Sequence, residues 1–367
     1  QNASSPFFDS EWMFGIKDGF DVVIGNPPYG ALSKPEDKIY FKSKYVTTRT
    51  IKNIQKGSLD TYTIFIEAGF NFCSKNGNLT YIVPISITSS DSITGLHNLL
   101  EKNCSLIKIS SYSVRPEPVF ENAVVNTSIL HFVKDYKPVQ RILSTKMYRK
   151  KGELNLKHLV ENLKFIDVSD LKLVGRYPKI SEPIERVILK KVLNQESKIR
   201  NIIQRTGSPI YYRFAGGRYF KVITNYSTGS SAERAILFKT DLSNSIGAIL
   251  SSNLFFWFYQ IISDNLNMKS YEIESFGLPM SELNANIKKD LGELYREYLL
   301  DIERNANVRQ TEKYANIDSF KEYKIGKSKH LIDKIDDLIG PLYGLTSEEI
   351  DFVKNYELNF RMNDHDD

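Results

Sequence analysis

Phe20-Asp21-Val22-Val23-Ile24-Gly25-Asn26-Pro27-Pro28-Tyr29-Gly30 decides the fold. Its first six residues are a compact, β-branched apolar run that ends on Gly-Asn-Pro-Pro, the pattern of a buried strand running into a turn. Downstream, 79–86 (LTYIVPIS), 106–113 (LIKISSYS) and 127–135 (TSILHFVKD) repeat the β-rich pattern. Residues 59–72 carry an apolar face at helical spacing, closed by Asn76-Gly77, and Ser90 to Lys102 read as a second helix. Strand, helix, strand, helix, strand predicts a mostly parallel sheet with crossover helices. The two β-rich runs joined across Asp135-Tyr136-Lys137-Pro138 predict an antiparallel hairpin at the sheet edge. Periodicity fades and charge rises over 148–180, which sets a domain boundary near residue 165.

Beyond that boundary the chain mixes a helix over Glu182 to Gln195, aromatic strands over Ile210 to Thr224, one apolar helix over Ser243 to Ile262 and a charged helix over 283–305. Asn253-Leu254-Phe255-Phe256-Trp257-Phe258-Tyr259 reads as core rather than a base-stacking platform. Residues 331, 332, 335, 338 and 339 form a helical apolar stripe, and Thr346-Ser347-Glu348-Glu349 is a capping box.

A chain of 367 residues is long enough for two domains or one large one. It has no stretch of 18 or more apolar residues, and its first residues lack the basic and apolar regions of a secretion signal, so a cytoplasmic location is expected. Cys73 and Cys104 are far apart in apolar contexts and read as buried thiols; the five histidines are scattered, so no structural metal is expected. Charge is unevenly spread: residues 136–240 hold 22 Lys+Arg against 8 Asp+Glu, whereas 241–367 hold 14 against 23. A segment with that excess suits a phosphate-tracking surface, and equally a solvated lysine-rich face.

Asn26-Pro27-Pro28-Tyr29 has the parts needed to activate a weakly nucleophilic amine such as the exocyclic amine of adenine. Its lone pair is delocalised into the ring, and two acceptors aimed at its two protons favour the sp³ nitrogen that attacks a methyl sulfonium. The Asn26 side-chain oxygen and the Pro27 carbonyl are candidates, with both proline φ angles held near about −65°. Tyr29 offers a face for a base to stack on. The turn follows a strand's carboxyl end, where open α/β sheets place ligands.

At these residues the sequence resembles the N6-adenine DNA methyltransferases whose catalytic domain precedes a target recognition domain. The stretch 20–30 resembles their catalytic motif, 60–87 (DTYTIFIEAGFNFCSKNGNLTYIVPISI) resembles the helix and strand after it, and Phe120 falls where the family places an aromatic against the flipped base. Residues 248–260 (AILSSNLFFWFYQ), 275–280 (SFGLPM) and 335–350 (IDDLIGPLYGLTSEEI) are more loosely similar to the recognition domain of combined restriction and modification enzymes.

The resemblance implies an α/β fold: the C-terminal half of a Rossmann-like methyltransferase sheet over 1–165, then a mixed α/β target recognition domain over 166–367. It implies that Asn26, Pro27, Pro28 and Tyr29 are catalytic, that Tyr29 and Phe120 sandwich the base, that the methyl donor is S-adenosylmethionine, and that the partner is double-stranded DNA. One departure stands out. The glycine-rich turn and acidic residue that hold the cofactor in this family precede the Asn-Pro-Pro-Tyr motif, and only 25 residues precede Asn26 here. No G-x-G-x-x-G occurs elsewhere, so a fragment whose cofactor site lies upstream is expected, one that binds S-adenosylmethionine weakly or not at all.

Lys42, Lys44, Arg49 and Lys52 lie in a basic, aromatic loop over Lys34 to Lys56 directly after the motif, a candidate phosphate contact expected to order on DNA. Arg213, Arg218 and Lys221 flank the Gly216-Gly217 turn and suit either bases or phosphate. Two other readings stay open: a DNA-binding specificity module without its own catalysis, and a methyltransferase acting on protein glutamine amides, which also use Asn-Pro-Pro-Tyr.

Overall fold

The computed structural model describes residues 9–120, 125–150, 156–171, 173–216, 219–310 and 319–362. The chain divides into two compact units, Gln1–Arg186 and Val187–Asp367.

The first unit holds helices α1 (Ser10–Phe14), α2 (Pro35–Lys44), α3 (Thr61–Phe72), α4 (Thr94–Asn103) and α5 (Leu156–Glu161). Its strands are β1 (Phe20–Gly25), β2 (Cys73–Pro84), β3 (Cys104–Tyr112), β4 (Thr127–Lys134), β5 (Arg141–Tyr148) and β6 (Ile166–Asp167), in one sheet of order β1-β2-β4-β3-β5-β6. β1 runs parallel to β2, and β3 to β5; β4 lies antiparallel between β2 and β3. The sheet is therefore mixed rather than mostly parallel: β1, β2, β3 and β5 point one way, while β4 at its centre and β6 at its edge run the other way. The expected edge hairpin is absent: β4 and β5 are joined by a short loop, yet they sit on opposite sides of β3. That loop is sewn to the start of β3, with Asp135 and Tyr136 donating to the Asn103 carbonyl, Val139 to Glu101 and Gln140 to Ser105.

The two faces of this sheet differ. On one, Leu79, Val83, Leu130, Phe132, Ile107 and Ile109 are fully buried. Helix α3 lies against it: Gly69 sits where a Cβ would collide with Leu79 and Tyr81, and the Phe70 ring is 6.0 Å from Phe132. On the other face, Val22 is 64% and Ile24 77% exposed; the register runs from Val22 through Asn78 and Val133 to Leu106 and from Ile24 through Thr80 and His131 to Lys108, so this face mixes apolar and polar residues. β1 is also an edge strand, so apolar side chains and one row of backbone groups are open together.

The boundary lies beyond the residue 165 that composition suggested. β6 pairs with β5, the Tyr177 ring stacks 4.1 Å from His97 and donates to Glu101, and Arg176, almost fully buried, ion-pairs with Asp91. Residues 166–186 thus belong to the first unit.

The division falls within α6 (Pro183–Leu193). The second unit continues with β7 (Ser197–Lys198), β8 (Ser208–Arg213), β9 (Ile223–Thr224), β10 (Glu233–Phe238), α7 (Thr240–Ser251), α8 (Asn253–Ile262), α9 (Ser270–Glu274), β11 (Gly277–Leu278), α10 (Ala285–Arg304), β12 (Asn307–Gln310), β13 (Ser319–Glu322), α11 (Lys329–Ile339), α12 (Ser347–Asn355) and α13 (Leu358–Arg361). Strands β10-β8-β9 form a small antiparallel sheet.

The single apolar helix expected over 243–262 is two, α7 and α8, bent by 65° at Ser252. Ser252 caps α8 by accepting from the Phe255 amide, and buried Asp336 of α11 accepts from the Asn253 and Leu254 amides. The Asn253 side chain in turn accepts from Arg361. These bonds satisfy the amides freed at the new helix start. Residues 253–262 are all buried, as the core reading required, and the capping box at Thr346 and Glu349 forms. No single helix among the described residues is long and apolar enough to cross a membrane; α7 and α8 reach that length only as this bent, mostly buried pair.

Candidate active site

The turn after β1 is held at three points. The Tyr29 hydroxyl donates to the Ile82 carbonyl (3.1 Å), one residue past the last β1–β2 pairing, Gly25 with Tyr81. Half-burial pushes the Tyr29 hydroxyl up to about 12, so it is a neutral donor at working pH. The Thr61 hydroxyl donates to the Pro28 carbonyl at 2.6 Å, and the Thr61 amide donates to the Gly30 carbonyl at 2.7 Å. Gly30, at φ 144°, takes a backbone conformation that other residues rarely adopt.

The same turn leaves two acceptors free. Asn26 is exposed, Pro27 is buried, and among the described residues no partner takes the Asn26 amide group or the Pro27 carbonyl. The chain thus ties off the carbonyls of Pro28 and Gly30 and keeps the two groups that precede them open.

Phe120 lies half-buried in the connection from β3 to β4. Tyr112 and Pro84 both pair with Thr127, so that connection leaves and returns at the sheet end where β1 and β2 finish. Asn126 closes its base, accepting from the Val114 amide and offering its own carbonyl to Ile85. The turn and the Phe120 connection therefore share the carboxyl end of the parallel strands.

The stretch Lys34 to Lys56 folds largely into helix and turns rather than open loop. It contains α2 and a short 3-10 turn, Val46–Thr48. Buried Glu67 of α3 holds that turn by accepting from the Val46 (2.9 Å) and Thr47 (2.8 Å) amides. Gln55 donates to the carbonyls of Val46 and Arg49. On this base Lys42 and Lys52 are exposed, and Lys44 is exposed with its ammonium donating to the Tyr40 hydroxyl. Arg49 serves differently: its guanidinium donates to the carbonyls of Lys42 and Ser43, closing the end of α2.

In the second unit, Arg213 is half-buried, with its guanidinium 5.5 Å from the Tyr323 ring. Lys221 is not the surface cation expected: it is 7% exposed, its ammonium 4.3 Å from the Tyr259 ring and donating to the Gly216 carbonyl. Burial against that ring removes it from the candidate DNA contacts. Arg218 lies outside the described residues. Several cations of 136–240 are ion-paired within that segment, as in Arg141–Asp167, Lys164–Glu182 and Arg186–Asp170, and Lys191 pairs with Glu349 outside it.

Cys73 and Cys104 are free and buried, and burial pushes both thiols up, to about 11 and about 12, which makes them inert as nucleophiles. No group of three or more metal-ligating side chains assembles among the described residues. Among the described residues no strand pairs with the outer edge of β1. Sequence reasoning missed Thr61 and Glu67, both read only as helix.

Residues 2–120 match the family model described as Eco57I restriction-modification methylase, a span that contains β1, the whole turn and Phe120. Among curated relatives, the type II restriction enzyme and methyltransferase RM.Eco57I of Escherichia coli is 25% identical over 206 residues, 55% of this chain and 19% of that protein. The type II methyltransferase M.AccI of Acinetobacter calcoaceticus is 25% identical over 216 residues, 59% of this chain and 36% of that protein. The chain therefore spans about a fifth to about a third of these relatives' lengths. In fold it is similar to the type IIL restriction-modification enzyme MmeI, solved in complex with DNA, at TM-score 0.54 and 14% identity over 93% of this chain and 57% of that one.

Proposed function

We propose that this chain carries the acceptor-base half of the active site, and the site-selecting part, of an adenine-N6 DNA methyltransferase from a restriction-modification system. The observation that carries the reading is the pair of free acceptors, Asn26 and the Pro27 carbonyl, beside carbonyls that Thr61 has tied off. A flipped-out adenine meets the Tyr29 face and Phe120. Its amine gives one hydrogen bond to the Asn26 side-chain oxygen and one to the Pro27 carbonyl, which localises the nitrogen lone pair for attack. S-adenosylmethionine supplies the electrophilic methyl group. The open edge of β1, where Val22 and Ile24 are exposed, is the side on which the donor would be held.

Double-stranded DNA is the proposed partner. Lys42, Lys44 and Lys52 are the candidate phosphate contacts, carried by the stretch that directly follows the base-binding turn; Arg213 is the remaining candidate in the second unit. Binding through phosphates predicts affinity that falls steeply with salt.

The test is Asn26→Ala in the full-length enzyme. We expect the loss of one acceptor aimed at the reacting amine to lower single-turnover methylation by about 100-fold or more, with duplex affinity in gel shifts unchanged. Methylation at the wild-type rate would show that Asn26 is not the acceptor.

A further inference from the structure

The Asn-Pro-Pro-Tyr turn is short of rigid contacts of its own. Pro27 and Pro28 have fixed φ, but their ψ angles are free to set where each carbonyl points. Neither proline has an N–H to donate. The direction of the Pro28–Tyr29 peptide is instead fixed from outside, by the Thr61 hydroxyl on the Pro28 carbonyl at 2.6 Å. The amide of the same residue takes the Gly30 carbonyl at 2.7 Å, on the far side of Tyr29. One residue thus brackets Tyr29 from both sides, while the Tyr29 hydroxyl is held on Ile82.

The bracket is not a helix cap. Thr61 is the first residue of α3, and the residue before it, Asp60, makes no side-chain cap bond. The Thr61 hydroxyl points to a carbonyl 33 residues earlier in the chain rather than to its own helix.

Resting on the reading above, we infer that Thr61 is a positioning residue for the methyl acceptor: its hydroxyl sets ψ at Pro28 and so the placement of the Tyr29 face relative to the Asn26 and Pro27 acceptors. It touches neither base nor donor, and its effect is on geometry at the reacting amine.

The experiment compares Thr61→Val, which keeps the branched shape and the amide but removes the hydroxyl, with Thr61→Ser, which keeps the hydroxyl. Both are made in the full-length enzyme and measured by single-turnover methylation of duplex DNA with S-adenosylmethionine, by duplex gel shift and by thermal unfolding. Misplacement by about an ångström at a reacting centre costs on the order of 100-fold. Thr61→Val is therefore expected to lose about 10- to 100-fold in turnover at unchanged duplex affinity and unfolding temperature, and Thr61→Ser to recover most of it. A wild-type rate for Thr61→Val, a Thr61→Ser enzyme as slow as Thr61→Val, or a loss of stability and affinity in step with the rate would each overturn the inference. Asn26→Ala separates the two levels: if it methylates normally the acceptor reading itself falls, whereas a dead Asn26→Ala beside a fully active Thr61→Val removes only the role of Thr61.

Discussion

Tyr29 does two separable things, and substituting it in two ways assigns a magnitude to each. Its hydroxyl makes one bond of 3.1 Å to the Ile82 carbonyl where the β1–β2 ladder ends; its ring supplies the face on which the base is proposed to stack. Tyr29→Phe deletes only the bond. A neutral, half-buried hydrogen bond is worth about 1 kcal/mol, so the expected loss is about fivefold in single-turnover methylation, since 1.4 kcal/mol corresponds to about tenfold. Tyr29→Ala also removes the stacking surface, worth about 1–3 kcal/mol per base. Together these come to about 2–4 kcal/mol, or roughly 30- to 1,000-fold.

The assay is single-turnover transfer of labelled methyl to a duplex substrate by the full-length enzyme. Because the hydroxyl is held up near 12, the Tyr29→Phe effect should be the same at pH 7 and pH 9. If Tyr29→Phe fell as far as Tyr29→Ala, the hydroxyl and not the ring would be the working group. A Tyr29→Ala enzyme within fivefold of wild type would remove Tyr29 from the base site altogether.

Two further outcomes concern the first unit as a whole. Burial pushes the Asp91 carboxyl up, but Arg176 and Lys56 more than reverse this, leaving it below the usual carboxylate range. Its contribution is therefore fully present above the unfolded value of about 3.9 and lost as pH falls below it. The gap in urea midpoint between wild type and Asp91→Asn should accordingly narrow between pH 5 and pH 3, and a gap independent of pH would contradict the assignment. Ile24→Lys is the second: on this chain alone a residue 77% exposed should tolerate lysine within about 0.5 kcal/mol. In the full-length enzyme, where the open face is proposed to be covered, the same change should cost several-fold in soluble yield; equal tolerance in both would mean that the face is solvated.

The turn and its strand were legible because their signals are local. An apolar run ending in Gly-Asn-Pro-Pro states where a strand stops, whatever surrounds it. The position of β4 was not legible for the opposite reason. A loop of a few residues between two β-rich runs is the ordinary mark of a hairpin, and nothing local records that β3 comes between the two strands. The break at Ser252 likewise depends on Asp336, more than 80 residues away, receiving the amides of Asn253 and Leu254. Both halves of that run carry apolar residues at helical spacing, α8 more densely than α7, so period alone joins them.

Cations posed the same difficulty. Lys42, Arg49 and Lys221 are equivalent in sequence, yet one is exposed, one closes a helix on backbone carbonyls and one is buried over Tyr259. Charge counting registers the head group but not its partner. Thr61 escaped notice because a threonine at a helix start has an ordinary local explanation, and its distant acceptor on Pro28 supersedes it.

Every anchor of the turn lies within the first unit: Ile82 at the end of β2, Thr61 at the start of α3, and Gly25 in register with Tyr81. None of these contacts draws on the free edge of β1, and Ile82, whose side chain lies on the open face, contributes only its backbone carbonyl. The turn is thus held from the backbone of β2 and from the start of α3, and a donor on the other side of the sheet would not have to reshape it. This separation leaves the turn at the end of β1 held whatever lies along the strand's outer edge. It also predicts which faults travel: changes at Thr61 or Tyr29 should alter turnover, whereas changes at Ile24 should alter assembly and leave the turnover of correctly assembled enzyme intact.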